Sequence, residues 1–197
     1  MTDPTKRIRP TTPGRLAAPR QAQQLPPLPV TRARIGERMA TEVFQEMGEE
    51  MLEELQNIRR DLHRNPEIGL DLPRTQKKVL EALEGLPLEV HVGQDLSSVV
   101  AVLRGGQRGE RPVSVLLRAD MDALEVREQT GSPFASTNGY MHACGHDLHT
   151  AGLYGALRLL HDVRDELAGD VIFMFQPGEE GYDGAGHMLR EGVLEAA

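Results

Sequence analysis

Only one of the 197 residues is a cysteine, and no apolar run approaches the roughly 20 residues that a membrane-spanning helix needs. A single cysteine cannot form an internal disulfide, which suits a reducing compartment and leaves the thiol free for a metal ion or for nucleophilic chemistry. The start of the chain also lacks the continuous apolar segment of a secretory signal. These absences predict a cytoplasmic protein that has no membrane partner.

Positive charge is scarce outside the first residues of the chain. Residues 1–38 contain eight Lys and Arg against two acids, for a net charge of +6, whereas residues 39–197 contain 14 against 28, for a net charge of −14. An acidic body argues against binding to a phosphate backbone. We therefore predict that the folded part has no nucleic-acid partner.

Residues 1–40 are rich in Pro and Arg and poor in large apolar side chains. Such a segment cannot bury enough surface to offset the entropy lost on ordering, so we predict a disordered tail before a folded region at 41–197. Its Arg-rich, acid-poor composition leaves a transit peptide or a nucleic-acid-binding arm as the less favoured alternatives.

Helical and β-rich segments alternate in the folded region. In chain order we predict a helix over 41–64 that ends before Pro66, a helix over 73–86, strands over 97–105 and 113–124 joined by a hairpin or tight connection, a helix over 146–167, a buried strand within 170–181 that ends in a Pro-Gly turn, and a helix over 184–196. This order is typical of an α/β fold with a central β-sheet flanked by helices.

The stretch MHACGHDLHT, residues 141–150, contains the only cysteine and three of the seven histidines. Cys144 and His146 flank Gly145, which permits a sharp turn that directs both side chains at one ion, and thiolate with imidazole suits zinc and similar metals. A helix starting near His146 is expected to lower the pKa of the Cys144 thiol, while Asp147 is a candidate to orient an imidazole. His149 shares the helical face of His146. Each residue alone has a structural alternative, as a buried cysteine or a surface histidine, but the cluster favours a metal site.

Two acidic pairs follow predicted strands. Asp120 and Asp122 of the RADMDAL stretch lie at the end of a predicted strand, where α/β sheets commonly form their sites. Solvated acids at a strand end are an equal alternative. Glu179 and Glu180 follow the next strand in a non-helical turn, so they can point in different directions and divide metal binding from proton transfer. The alternative for this pair is an acidic helix N-terminus.

Four segments in order, RRDLHRNPEIG, LLRADMDAL, MHACGHDLHTAGLYGAL and QPGEEGYDGAGHMLREGVLE, resemble the M20-type metallo-amidohydrolases over residues 50–196. The branch that they resemble includes N-acyl-amino-acid, hippurate and auxin-conjugate amidohydrolases. The resemblance implies a zinc-exopeptidase-like catalytic domain with two divalent metal ions (Zn, Mn or Co). It also implies hydrolysis of the amide of a small N-acyl amino acid by metal-activated water.

Carried over by position, the resemblance implies that Cys144, His146 and Glu180 are metal ligands, with the thiolate bridging two ions. Glu179 is implied as the general base, and Asp122 as the residue that orients a ligand. Asp120 takes the place of a metal-binding histidine in more distant branches, so we expect it beside the ligands. His142 and His149 match the motif without an implied role.

Departures from the family pattern limit what the resemblance implies. Glu125 stands where relatives usually have Pro, and Leu72-Pro73 where they tend to have acids. Relatives continue with another histidine ligand, a second domain that dimerises and contacts substrate, and a final histidine ligand, so residues 41–197 are expected to be only the N-terminal portion of a catalytic domain. Three hypotheses stay open: an active amidohydrolase, a truncated remnant or half-enzyme, and a non-catalytic metal- or thiol-binding module.

Overall fold

A run of helices is followed by a run of strands and then by helix, strand and helix, which is the order that the sequence predicts apart from two additional strands. The computed structural model describes residues 9–10, 40–110 and 113–197. The strands are β1 (Arg9–Pro10), β2 (Glu89–Val92), β3 (Val99–Leu103), β4 (Ser114–Asp120) and β5 (Asp170–Gln176). The helices are α1 (Ala40–Glu50), α2 (Leu52–Arg64), α3 (Pro73–Leu83), α4 (His146–Asp162) and α5 (Gly184–Arg190), with short 3₁₀ helices at Arg164–Glu166 and Val193–Glu195.

The strands form one mixed sheet in the order β1-β2-β3-β5-β4. β3 pairs with β5 antiparallel, whereas β4 pairs with β5 in parallel and places Asp120 opposite Gln176. The expected hairpin between β3 and β4 is therefore wrong, because β5 lies between them. The parallel pair brings the carboxyl ends of β4 and β5 to the same edge of the sheet.

Both faces of the sheet are covered, which confirms the α/β fold with flanking helices. All seven residues of β5 are buried, as expected for a central strand with apolar neighbours on both sides. Its alternate residues point to two cores. The core under α2, α3 and α4 includes Leu72, Val79, Ala101, Leu153, Leu157, Phe173 and Phe175. The core under α5 includes Leu96, Val100, Val102, Ile172, Met174, Met188 and Val193.

Several element boundaries differ from those predicted. The helix expected over 41–64 is interrupted at Met51. The Met51 N–H still donates to the Met47 carbonyl, and the Met51 carbonyl accepts the Leu55 N–H, so the helical hydrogen-bond pattern continues across the break. The last predicted helix ends at Arg190, because Gly192 adopts a φ of 88° before the final 3₁₀ turn. β2 was not predicted, since its four residues are only partly buried.

The predicted tail, residues 1–40, lies outside the described residues apart from β1 and Ala40. The backbone of β1 pairs antiparallel with β2, with Arg9 opposite Val92. Over the residues that the structure describes, no helix combines the length and the apolarity needed to cross a bilayer.

Candidate metal centre

The residues singled out by the sequence meet at the carboxyl ends of β4 and β5, beside the first turn of α4. Gly145 precedes α4 with a φ of 89°, a left-handed conformation in which the chain reverses between Cys144 and His146. Beyond β5, Gly178 has a φ of 69°, and a Cβ there would come within 2.5 Å of Leu70 Cδ2. Glycines thus shape both turns that carry candidate ligands.

Asp122 is the fully buried centre of this arrangement. Its Oδ1 accepts the backbone N–H of Glu179 and its Oδ2 that of Glu180, each at 2.9 Å. Its main-chain carbonyl lies 2.8 Å from His146 Nδ1, which donates to it and leaves Nε2 as the free ring nitrogen. Burial opposes the charge of Asp122, but the hydrogen bonds from His146 and from the two backbone N–H groups lower the pKa of this carboxyl below its ordinary value.

The free nitrogen of His146 faces both glutamates. Nε2 lies 3.7 Å from Glu179 Oε2 and 3.8 Å from Glu180 Oε1. One donor atom each from Cys144, His146 and Glu180 lies within 4.8 Å of the other two. Thiolate, imidazole and carboxylate together fit zinc and similar divalent ions.

The expected low pKa of the Cys144 thiol is wrong. The side chain is exposed, yet partial desolvation and the negative charges of Glu180, Glu179 and Asp120 raise the pKa of this thiol. The nearby carboxylates outweigh the helix dipole because they carry full charges. A thiolate at this position therefore needs a cation beside it.

Asp120, His146 and His149 form a second group whose donor atoms lie within 4.8 Å of one another. Asp120 already has two partners, since Arg118 Nη1 lies 2.9 Å from Oδ2 and His149 Nδ1 lies 2.6 Å from Oδ1. The rings of His146 and His149 stack with centroids 5.6 Å apart, as their spacing on one helical face predicts. Asp120 thus lies beside the candidate ligands in a network that is satisfied without an ion.

Asp147 orients a histidine that was not singled out from the sequence. Its Oδ2 lies 2.8 Å from Nδ1 of His63, and not beside His146, which the Asp122 carbonyl orients instead. The signal was present in the RRDLHRNPEIG segment, but nothing local connects that segment with residue 147. His142 is buried and, among the described residues, neither of its ring nitrogens has a hydrogen-bond partner, so desolvation lowers the pKa of His142 to about 4.

With the geometry established, comparison with known proteins identifies the family. The model described as peptidase family M20/M25/M40 matches residues 116–197, which include all the candidate ligands. The region 116–197 belongs to this family.

The M20 relatives extend the likeness beyond the matched region. An N-acetylcysteine deacetylase of Bacillus subtilis is 47% identical over 140 residues, and an N-acetyldiaminopimelate deacetylase of the same bacterium is 43% identical over 145. These alignments take in 70% and 73% of this chain but only 36% and 38% of the two relatives. The chain thus spans little more than a third of the length of these curated relatives.

Among solved structures, the YXEP protein of Bacillus subtilis, described as a dinuclear metal-binding peptidase of the M20 family, is similar in fold. Its TM-score is 0.68 at 43% identity, covering 76% of this chain and 40% of that one.

Proposed function

We propose that this chain forms the metal-binding part of a metal-dependent amidohydrolase that cleaves the amide bond of small N-acyl amino acids. One observation carries the proposal: the buried Asp122 holds the backbone of Glu179 and Glu180 and, through its carbonyl, the ring of His146. A single residue thereby brings a candidate base and two candidate ligands to one point. The deacetylase names of the two M20 relatives support an N-acyl substrate.

Cys144, His146 and Glu180 would hold the metal. The description of the YXEP protein as dinuclear supports two metal ions in the complete site, and we propose that these are divalent Zn, Mn or Co. Bound divalent ions supply Lewis acidity toward the amide carbonyl and toward water. The protein's contribution is to fix the donors: Asp122 holds both glutamates through their backbone, and the tautomer of His146 directs its lone pair at Glu180.

Glu179 is the residue that we assign to proton transfer. Its side chain is 41% exposed, so water and substrate can reach the carboxylate, whereas its backbone is fixed by Asp122. The carboxylate takes a proton from the attacking water and returns it to the nitrogen of the leaving amino acid, as in general acid–base catalysis. We place this activity in the cytoplasm, on small molecules and without a nucleic-acid or membrane partner. A homodimer is the assembly that we propose for the complete enzyme.

The test measures release of free amino acid from N-acetyl amino acids by the protein loaded in turn with Zn²⁺, Mn²⁺ and Co²⁺. Glu179→Gln should lower the rate at least about 100-fold, the size of a typical general acid–base contribution, while metal content stays unchanged. Glu81→Gln, on an exposed part of α3, is the matched control and should retain full turnover. Turnover that persists in Glu179→Gln would remove Glu179 as the base. A metal-loaded protein that is supplied with the parts of its M20 relatives that this sequence does not cover, and that still releases no amino acid, would contradict the proposed reaction.

A further inference from the structure

We propose that Arg59 and His63 of α2 are positioning residues of the metal centre, acting through Asp147. Arg59, His63 and Glu128 form what we call the α2 clamp, and Asp147 is the residue that it holds. The inference rests on the proposed metal centre, because the clamp is assigned the task of holding the segment that carries Cys144 and His146. Nothing in the family comparison assigns the clamp a role.

Asp147 is the point at which the clamp holds this segment. It follows His146 directly in the first turn of α4 and is fully buried. Its Oδ2 lies 2.7 Å from Arg59 Nε and 2.8 Å from His63 Nδ1. The contact with Arg59 is an ion pair without hydrogen-bond geometry, and Asp147 Oδ1 has no hydrogen-bond partner among the described residues. A carboxylate without solvent needs such partners, so the position of Asp147 depends on its two contacts at Oδ2.

His63 reaches a second carboxylate on the opposite side of its ring. Its Nε2 lies 3.1 Å from Oε1 of Glu128, whose Oε2 accepts the Ser136 N–H at 2.6 Å. Burial opposes the charge of Glu128, but hydrogen bonds from Thr130, Ser136 and His63 lower the pKa of this carboxyl to about 2. The two ring nitrogens of His63 thus face two different carboxylates, so one ring joins α4 to the irregular segment before Cys144.

The helix that carries Arg59 and His63 is packed into the core. Arg59 and His63 are four residues apart on one face of α2, and the same helix contributes the buried Leu62 and the packed Ile58 to the core. The contacts found among the described residues join His63 to Asp147, Glu128, Arg59, Phe134 and His142, and none is a candidate ligand. Its effect on the metal is therefore indirect, and the shortest route passes through Asp147, which adjoins His146.

Two independent attachments then fix His146. Asp122 holds its ring from β4, and the clamp holds the adjoining backbone from α2. A purely structural ion cluster would stabilise the fold without altering the ligand geometry. The positioning role instead predicts that loss of His63 changes how the metal is bound while the chain stays folded, since supporting residues of this kind typically alter metal affinity 10- to 100-fold, roughly.

The experiment titrates the metal-free chain with Co²⁺ and records the thiolate-to-cobalt charge-transfer absorption, which reports on Cys144. His63→Gln should weaken Co²⁺ binding by about tenfold or more and alter the absorption. His161→Gln removes a part-buried histidine that faces a carboxylate at the far end of α4, and it should bind Co²⁺ as the wild type does. Val79→Ala, which lowers stability through a core residue that is not itself part of the clamp, should also leave binding unchanged.

Unchanged Co²⁺ binding in His63→Gln overturns the clamp, as does an equal loss in Val79→Ala, because the effect would then be one of general stability. If His63→Gln fails to fold, Arg59→Gln takes its place, with the same expected loss of Co²⁺ affinity. Arg59 also contacts Asp147 but is more exposed than His63, so its substitution disturbs the fold less. A folded wild-type chain that binds no Co²⁺ overturns the metal centre itself, so the two failures are distinguishable.

Discussion

The two ends of β5 carry acids in contrasting surroundings. At its amino end, Asp170 lies 2.8 Å from Arg104 and 3.2 Å from Arg108, and its Oδ1 accepts the Gly105 N–H at 3.1 Å. Arg104 also pairs with Glu89, so two arginines balance two acids. Negative charge at this end is fully neutralised by the protein itself.

At the carboxyl end of β5, acidic side chains outnumber the arginines that pair with them. The acids there are Asp120, Asp122, Glu179 and Glu180, and the arginine ion-paired with them is Arg118, through Asp120. The surplus negative charge converges on His146, whose free nitrogen is a lone-pair donor. Acids at a strand end thus form a candidate metal site when basic side chains do not neutralise them, and they anchor the fold when basic side chains do.

The largest effect that separates the two ends should come from Cys144→Ser. Loss of the thiolate is expected to weaken Zn²⁺ binding at least about 100-fold, the upper end of what loss of a supporting residue costs. The free energy of unfolding should change by less than about 0.5 kcal/mol, since the side chain is exposed. Isothermal titration with Zn²⁺ and urea unfolding measure the two quantities, and unchanged Zn²⁺ affinity would remove Cys144 from the ligands.

Asp170→Asn should show the opposite pattern. Removing a buried charge that faces two arginines is expected to lower the free energy of unfolding by about 2 kcal/mol, with Zn²⁺ affinity retained. Glu89→Gln, at the more exposed acid of the same network, is the control and should cost less than about 1 kcal/mol in urea unfolding. A fall in Zn²⁺ affinity in Asp170→Asn would break the distinction between the ends.

Asp122→Asn tests the link between position and charge at the carboxyl end. The amide keeps one acceptor for a backbone N–H but turns a donor toward the other, so the turn that carries Glu179 and Glu180 should loosen. We expect about tenfold weaker Zn²⁺ binding and about 1 kcal/mol lower stability. Loss of stability without loss of Zn²⁺ affinity would show that Asp122 supports the fold and not the site.

The smallest effects should appear as different pH dependences at the two ends. Burial opposes the charge of Asp170, but hydrogen bonds from Arg104, Gly105 and Arg108 lower the pKa of this carboxyl. Its contribution to the free energy of unfolding is therefore complete above the unfolded pKa of about 3.9 and is lost as the pH falls through the lower folded value. The raised pKa of the Cys144 thiol means that metal binding must displace a proton, so Zn²⁺ affinity should rise with pH between about 6 and 8, and less steeply in Cys144→Ser. Urea unfolding measured below about pH 4 tests Asp170, and Zn²⁺ titration between about pH 6 and 8 tests Cys144. Flat profiles in both measurements would contradict the account.

The sequence was most informative where function depends on local spacing. The positions of Cys144, His146 and the two acidic pairs followed from turn residues and strand ends, and the alternation of elements predicted the α/β fold. Strand order was out of reach, because the insertion of β5 between β3 and β4 depends on pairing between distant segments. The partnership of His63 with Asp147 spans 84 residues for the same reason, and the raised pKa of Cys144 required knowing where the turn beyond β5 places Glu180.

The most direct test of the central claim is a count of bound metal. The metal-free wild type, Cys144→Ser and Asp170→Asn are dialysed against Zn²⁺ at concentrations above the wild-type dissociation constant, and zinc per chain is measured by elemental mass spectrometry. The account predicts bound zinc in the wild type and in Asp170→Asn, and a clear loss in Cys144→Ser. A folded wild type without zinc, or equal zinc in all three proteins, would contradict the assignment of the charge-unbalanced end of β5 as the metal centre.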